Sequence, residues 1–202
     1  MRELTRLERL IAGVASRDPI RVNDPSRPEA AVALLLVADP DRLLLIRRAD
    51  RVGDPWSGQL ALPGGRRDGQ DEDLLATAIR ETREETGLEL ERAWHVATLD
   101  DLAPRSAVLP PILVRPFVFH LEAEMVPQVS DEVAQVGWVT LDYLTGPGVF
   151  RTASINIRGA DREVEGYHLP EGFLWGMTER IVTPVLQRWQ LLGTDSPIRE
   201  GQ

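Results

Sequence analysis

Three glutamates lie close together in one short stretch of the sequence, at Glu81, Glu84 and Glu85. On a helix, residues three and four apart are neighbours, and like charges there repel by a few tenths of a kcal/mol per pair. One explanation is a solvated surface, because glutamate is a good helix former. The other is a site for a hard divalent cation such as Mg²⁺, which takes carboxylate, water and phosphate oxygens as ligands. A bound ion of that kind neutralises phosphate charge and makes a water molecule nucleophilic, so the second explanation predicts metal-dependent phosphate chemistry.

The residues on either side would position these carboxylates. The spacing of apolar residues predicts a helix over residues 71–86. The three glutamates are expected on the side roughly opposite Leu75, Ala78, Ile79 and Thr82. Gly87 suits the left-handed position that ends a helix. Before the helix, "LALPGG" predicts a short strand ending at paired glycines, which let the backbone come close to an ion or a phosphate.

The remaining patterns predict a single α+β domain. Strands are expected at 30–37, 42–49, 93–102 and 111–124, a strand running into a short helix at 132–144, a hairpin at 150–169, and helices at 4–14 and 173–192. The long apolar runs of the first two strands predict a sheet that is covered on both faces. Residues 1–28 would form an N-terminal helix and connection, 29–192 the domain, and 193–202 a disordered tail.

Composition narrows the classes of function. The 202 residues carry a net charge of −9, and no basic stripe of the kind that binds a nucleic acid duplex is evident. There is no cysteine, which excludes disulfides and thiolate chemistry and fits a cytoplasmic protein. No apolar run is long enough for a membrane helix. The sequence leaves the oligomeric state open, a homodimer included.

The stretch from Gly65 to Leu88 closely resembles the Nudix box, the signature of Nudix hydrolases. The matching positions are Gly65, Glu72, Arg80, Glu81, Glu84, Glu85, Gly87 and Leu88. Two departures are visible: the spacer between Gly65 and Glu72 is one residue longer than in the common box, and Thr82 replaces an aliphatic residue. Neither departure alters the order of the arginine and the three glutamates.

The resemblance implies a fold, a reaction and roles for residues. The fold would be an α/β/α sandwich with a mixed β-sheet, and the reaction the attack of water on a diphosphate linked to a nucleoside. Glu81, Glu84 and Glu85 would bind Mg²⁺ or Mn²⁺ with the carbonyl of Gly64 as a backbone ligand. Arg80 would orient one of these glutamates. Gly65, Glu72 and Gly87 would be structural, with Glu72 holding the geometry between loop and helix.

A wider resemblance points to one branch of the family. Residues 30–185 are similar to coenzyme A pyrophosphatases in Arg48-Ala49, Gly58-Gln59 and the Pro-Gly-Gly at 63–65. The match is partial, because Asp54 and Leu62 stand where that branch has arginine and phenylalanine. The branch would cleave coenzyme A or acyl-coenzyme A into 3′,5′-ADP and the matching 4′-phosphopantetheine. Alternative substrates are ADP-ribose, nucleotide sugars and nucleoside triphosphates, and a non-catalytic nucleotide-binding module is a second alternative.

Several residues outside the box are further candidates. Arg47, Arg48 and Arg51 could bind substrate phosphates, since a guanidinium group fits phosphate oxygens, or they could form a solvated strand end with Asp50. Trp56 could stack on a base or pack against the loop. Glu132 stands where many Nudix proteins carry an extra loop acid that acts as a metal ligand or base, and its alternative role is a charge at a strand edge.

Overall fold

A computed structural model describes residues 2–50, 57–104, 111–157 and 159–194. The helices are α1 (Arg6–Ala15), α2 (Leu74–Thr86), α3 (Leu141–Leu144) and α4 (Gly176–Thr194). The strands are β1 (Glu29–Val37), β2 (Arg42–Arg48), β3 (Leu60–Ala61), β4 (Gly64–Arg66), β5 (His95–Thr98), β6 (Leu113–Leu121), β7 (Val133–Thr140), β8 (Phe150–Ile157), β9 (Ala160–Leu169) and β10 (Gly172–Trp175). No helix in these ranges is both long and apolar enough to cross a membrane.

Strand β1 is the centre of a seven-stranded mixed sheet. It pairs in parallel with β6 along its whole length, from Glu29 opposite Leu113 to Val37 opposite Leu121. Its other edge is shared between β4 and β2, both antiparallel, and β7 lies along the outer edge of β2. The predicted α+β class with a mixed sheet is therefore confirmed.

The sheet is buried on both faces, as the apolar runs of β1 and β2 predict. Alternate residues of β1 enter two separate clusters: Leu34 and Leu36 join one, and Ala33 and Leu35 join the other. The first cluster contains side chains of α1 and α4, and the second contains side chains of α2. The molecule is thus an α/β/α sandwich. The acidic helix α2 packs on one face of the sheet, and helices α1 and α4 pack on the other.

A second sheet follows, and it corrects one predicted boundary. Strands β8 and β9 form the predicted hairpin, and β10 adds a third strand by pairing Gly172–Trp175 with residues 166–169. Helix α4 therefore begins at Gly176 rather than at 173, and it continues to Thr194. The four residues before Gly176 are too short a stretch for periodicity to distinguish strand from helix. The predicted tail beyond Thr194 lies outside the described residues.

Three other predicted elements are longer than the observed ones. The predicted strand over 93–102 is a short 3₁₀ turn at Arg92–Trp94 followed by β5, after which Leu102 makes an isolated bridge to Val114. Strand β6 ends at Leu121, not at 124. Helix α1 starts at Arg6 because Thr5 caps it, accepting a hydrogen bond from the Glu8 amide at 3.1 Å.

Helices α1, α3 and α4 are joined at a single arginine. The Arg6 guanidinium lies 3.7 Å from the centre of the Trp189 ring and donates hydrogen bonds to the Trp189 carbonyl and to Asp142 Oδ1. The Trp189 indole N–H donates to the same Asp142 oxygen at 2.9 Å. Trp189 is almost completely buried, so this contact closes the α1–α4 side of the sandwich.

We expect Arg6→Met to destabilise the protein by about 1–2 kcal/mol, because it removes a cation–π contact and hydrogen bonds to a helix carbonyl. The melting temperature should fall by roughly 2–4 °C for each kcal/mol in a chain of this size. Arg2→Met is the matched control, because Arg2 is an exposed arginine that pairs with Glu8 on the same helix end. Equal shifts in the two variants would show that the Arg6 contacts do not stabilise the helix junction.

Candidate active site

Helix α2 starts three residues later than the sequence predicts. Asp73 is the N-cap: its backbone is extended and its Oδ1 accepts a hydrogen bond from the Ala76 amide at 2.7 Å. The helix ends at Gly87 in the left-handed conformation, as predicted. Asp71 cannot belong to the first turn because it is held in the preceding loop, where its Oδ2 accepts from the Asp68 amide at 2.9 Å.

The predicted opposition of apolar and acidic sides of α2 is wrong for Glu85. Ala78 and Thr82 are buried as expected, but Glu85 is only 2% exposed. Positions 78, 82 and 85 follow one another at spacings of four and three, which places Glu85 on the buried stripe. The exposed glutamate of the three is Glu84. Glu81 lies between these extremes.

Glu85 is a buried carboxylate with two positively polarised neighbours. Its Oε2 accepts a hydrogen bond from the Gly64 amide at 2.8 Å, and Nη1 of Arg48 lies 3.7 Å from its Oε1. Burial nevertheless raises the pKa of Glu85 to about 7, and the charges of Glu81 and Glu132 act in the same direction. Loss of water around the Glu85 side chain is thus the main cause of its raised pKa.

Glycines at 64 and 65 let β4 lie directly against this helix. A Cβ atom on Gly65 would be 2.4 Å from the carboxylate carbon of Glu81, and one on Gly64 would be 2.3 Å from the carbonyl oxygen of Ala31. Gly64 also has a φ of +152°, which disfavours other residues. Burial raises the pKa of Glu81, against the effect of Arg80. The structural role predicted for Gly65 fits this close contact.

Arg80 connects the loop to two of the glutamates. Its Nη1 donates to Glu81 Oε1 at 2.9 Å and to Glu84 Oε2 at 3.0 Å. Its Nε and Nη2 each donate to a carboxylate oxygen of Asp71 at 2.9 Å. This two-point pairing is the strongest common geometry for arginine and carboxylate, and hydrogen bonds from Arg80 hold the pKa of Asp71 well below its usual range.

The side chain that links the loop to Arg80 is Asp71, whereas the resemblance implies that Glu72 holds the geometry between loop and helix. Glu72 is exposed, and only its backbone carbonyl takes part, accepting from Arg67 at 3.2 Å. Asp71 is further fixed by the Thr77 hydroxyl, which donates to its Oδ2 at 2.9 Å. Because residues 71–73 are all acidic, the sequence does not show directly which of them pairs with Arg80. One signal was available: Asp73 directly precedes the apolar run and so suits the N-cap. This placement leaves Asp71 in the loop before the helix.

Glu132 approaches the same site from the loop before β7. Because β7 pairs with β2, with Arg48 opposite Val133, the residue before β7 lies beside the end of β2. The Ala49 amide donates to the Glu132 carbonyl at 2.9 Å. Burial is the main cause of the raised pKa of Glu81 and of Glu85, and the Glu132 charge acts in the same direction on both.

The predicted phosphate-binding residues are only partly described. Arg47 and Arg48 are partly buried at the end of β2, and Arg47 Nε donates to the Gly58 carbonyl at 3.3 Å. Arg51 and Trp56 lie outside the described residues. Arg67 is paired with Glu29 at 3.0 Å and supports β4. Of the phosphate-binding arginines predicted from the sequence, Arg48 is a described one that approaches a carboxylate of α2, with its Nη1 3.7 Å from Glu85 Oε1.

The donor chemistry of the site fits a hard divalent cation. Glu81 and Glu85 on α2 lie against the backbone of β4, and carboxylate oxygens are ligands of the type that Mg²⁺ and Mn²⁺ prefer. In the part of the chain that the structure describes, no three acidic or histidine side chains converge as a metal site as they stand. Arg80 donates to one carboxylate oxygen of Glu81 and to one of Glu84, and the other oxygen of each carboxylate is not used by this arginine.

The raised pKa of Glu85 predicts a pH-dependent stability of the metal-free protein. Because the folded pKa of about 7 lies above the ordinary value of 4.5, the folded state binds the proton more tightly, and stability falls as the pH rises toward 7. Glu85→Gln removes this penalty and keeps an acceptor for the Gly64 amide. We expect its stability advantage over the native protein to grow between pH 5 and pH 8 by on the order of 2 kcal/mol.

Chemical denaturation in the presence of a chelator measures this difference. Glu84→Gln is the control, because its side chain is half exposed and it removes the same formal charge. A Glu85→Gln advantage that does not change with pH, or an equal trend in Glu84→Gln, would contradict the assignment.

Comparison with known proteins agrees with this geometry. The NUDIX domain family model matches residues 27–157. A protein named uncharacterized Nudix hydrolase NudL from Photorhabdus laumondii is 30% identical over 174 residues, which cover 86% of this chain and 90% of that protein. A protein of the same name from Yersinia pestis is 31% identical over 161 residues, covering 79% of this chain and 78% of that one.

Solved structures show the same fold. A MutT/nudix family protein from Enterococcus faecalis has a TM-score of 0.56 at 20% identity, covering 90% of this chain and 68% of its own. A bifunctional NMN adenylyltransferase/ADP ribose pyrophosphatase from Francisella tularensis, complexed with AMP and a Mn ion, has a TM-score of 0.53 at 21% identity. That match covers 83% of this chain and 43% of the other. With the family model spanning most of the sandwich and relatives matching over most of their length, this chain belongs to the Nudix hydrolase family, which acts on nucleoside diphosphate derivatives.

Proposed function

We propose that this hydrolase uses Mg²⁺ or Mn²⁺ to cleave the diphosphate of coenzyme A or acyl-coenzyme A. The products would be 3′,5′-ADP and 4′-phosphopantetheine or its acyl form. The observation that carries the proposal is the group of acidic side chains on α2, Glu81, Glu84 and Glu85, beside Arg48 at the end of β2.

The carboxylates provide the first part of the argument. Burial raises the pKa of both Glu81 and Glu85, the charge of Glu132 acts in the same direction, and Glu85 is almost completely buried. A pocket of this charge repels a naked diphosphate, so anion binding there requires a cation between the two. When bound, such an ion neutralises phosphate charge and increases the acidity of a coordinated water molecule.

The protein's own residues would then divide the remaining work. Arg80, fixed by Asp71, holds Glu81 and Glu84 in place until substrate and ion bind. Glu132 is exposed at the rim, beside the carboxylates but outside the helix, where a carboxylate can accept a proton from the attacking water. The role of base for Glu132 is part of the proposal.

The arginines provide the argument for the substrate. Coenzyme A carries a diphosphate and a separate 3′-phosphate, so its pocket needs cations beyond the metal. The chain is acidic overall, with a net charge of −9, and such cations must be local. Arg48 approaches Glu85 to 3.7 Å, Arg47 is its neighbour on β2, and Arg66 is exposed at the end of β4. These three side chains and the Arg48-Ala49 match support coenzyme A over a substrate with fewer phosphates.

Replacing a box glutamate by glutamine tests the metal assignment. Glu85→Gln or Glu84→Gln keeps the shape of the side chain and removes the charge that attracts the ion, so turnover should fall by roughly two orders of magnitude or more. Turnover is measured by product mass with Mg²⁺ and Mn²⁺ varied separately. Glu89→Gln, at an exposed position just beyond α2, is the matched control and should retain activity. Near-normal turnover of both box variants would remove the metal site from the mechanism.

A substrate comparison tests the choice of coenzyme A. Coenzyme A, dephospho-coenzyme A, ADP-ribose and NADH are offered at equal concentration, and coenzyme A should have the highest kcat/KM. Arg48→Ala should lower kcat/KM for coenzyme A by roughly ten- to a hundredfold, since a charged hydrogen bond to phosphate contributes about 1.5–3 kcal/mol.

Arg83→Ala is the control for this experiment, because Arg83 is exposed on the outer side of α2. It should leave the preference unchanged. Good turnover of ADP-ribose or a nucleoside triphosphate with no cleavage of coenzyme A would assign the protein to another branch of the family while leaving the metal site in place.

A further inference from the structure

A second cavity lies on the face of the sheet opposite α2. It has a volume of about 210 Å³ and lies between the end of α1, the segment after β5, and the middle of α4. Both helices lie outside residues 27–157, the part of the chain that matches the family domain. The cavity is therefore formed partly by helices outside the matched segment, and it lies on the face of the sheet opposite the carboxylate site.

The floor of this cavity is apolar. The side chains that form it are Val14, Leu99, Leu102, Pro116, Ile181 and Val185. Ile181 and Val185 are buried members of the core cluster on this face, and Val14, Leu99 and Leu102 pack against that cluster. A rigid apolar floor of this size has room for a short aliphatic chain or one ring, and it is smaller than the pockets that hold drug-sized ligands.

The acidic groups at the rim are already neutralised. Asp101 is completely buried, and its carboxylate accepts hydrogen bonds from Arg115 at 2.8 Å and from Arg21 at 3.0 Å. Asp100 is paired with Arg17 and also accepts from the Ile20 amide at 2.8 Å. These pairs contribute walls to the cavity but little net charge.

Two arginines of α4 supply the remaining charge. Arg180 and Arg188 line the cavity, and neither forms an ion pair with any residue in the described ranges. Arg188 lies across α1 at Gly13, where a Cβ atom would come within 2.1 Å of its Nη2. Because glycine leaves this space, the guanidinium can lie against α1 at the rim of the cavity. In a chain with a net charge of −9, two cations above an apolar floor form a local site for an anion.

From this arrangement we infer that the cavity binds a small amphipathic anion, a carboxylate on a short apolar chain or ring. The apolar body would lie on the floor formed by Ile181 and Val185, and the carboxylate would face Arg180 and Arg188. A guanidinium group presents paired N–H donors that match the two oxygens of a carboxylate. The site is independent of the proposed coenzyme A cleavage, since it uses neither the box residues nor β2.

Hexanoate is a suitable probe, and amide chemical shifts of the full-length protein report where it binds. We expect saturable shifts at the cavity, among them those of Gly13 and Leu102, and no comparable change at Gly64 or Gly65. Hexan-1-ol has the same chain without the charge and should bind at least tenfold more weakly. Inorganic phosphate should cause no saturable shift at the cavity, because it lacks the apolar body.

The double substitution Arg180→Gln with Arg188→Gln tests the two cations. Both residues are exposed on α4, and glutamine is also a good helix former, so the fold should persist, which the melting temperature checks. Binding of hexanoate should weaken at least tenfold. Arg151→Gln with Arg162→Gln removes the same charge from exposed positions on β8 and β9 and should leave the affinity unchanged.

Three results would overturn the inference. Equal affinity for hexanoate and hexan-1-ol would show that charge plays no role. Equal weakening in the two double variants would show a general effect of net charge. Shifts confined to the carboxylate site, or none at all, would show that the cavity does not bind this class of anion.

Discussion

The close approach of the β4 backbone to helix α2 is the constraint on which the site depends. A Cβ atom at Gly64 would collide with Ala31, and one at Gly65 would collide with Glu81. Because the glycines have no Cβ, the Gly64 amide comes within 2.8 Å of the buried Glu85 carboxylate. Without that contact, the buried Glu85 would lose the hydrogen bond from the Gly64 amide. An unpaired charge in a buried position is strongly disfavoured. The short strand and the acidic helix are therefore a single unit, and the rest of the sandwich keeps the two in register.

Charge in this unit is arranged unequally between its two ends. At the loop end, Asp71 and Arg80 neutralise each other through two hydrogen bonds, so that end is a fixed structural pair. At the pocket end, burial and the charges of Glu81 and Glu132 raise the pKa of Glu85, and Arg48, 3.7 Å from Glu85, acts against them. Arg80 spans both ends because it also donates hydrogen bonds to Glu81 and Glu84, so it couples the loop to the acidic side of α2.

The spacing of residues along the sequence determines some features of this fold and leaves others open. The positions of the glutamates on one helix, the cap at Gly87 and the two-faced burial of β1 follow from periodicity and were predicted. The burial of Glu85 also follows from spacing, but the expectation that carboxylates face solvent concealed it. The pairing of Arg80 with Asp71 was not predicted, because a difference of one residue depends on how the loop crosses the end of the sheet. The place of Glu132 beside Arg48 depends on the pairing of β7 with β2, and such long-range registers have no local signal.

The parallel pairing of β1 with β6 also has a consequence for how the chain folds during synthesis. Glu29 pairs with Leu113 and Val37 with Leu121, so the central strand has no partner on that edge until more than eighty further residues have been made. Contacts between residues so far apart in sequence slow folding, because the connecting chain must be ordered before the contact forms. Until β6 emerges from the ribosome, β1 presents apolar side chains on both faces, and residues 30–37 are the segment of the nascent chain most in need of protection from aggregation.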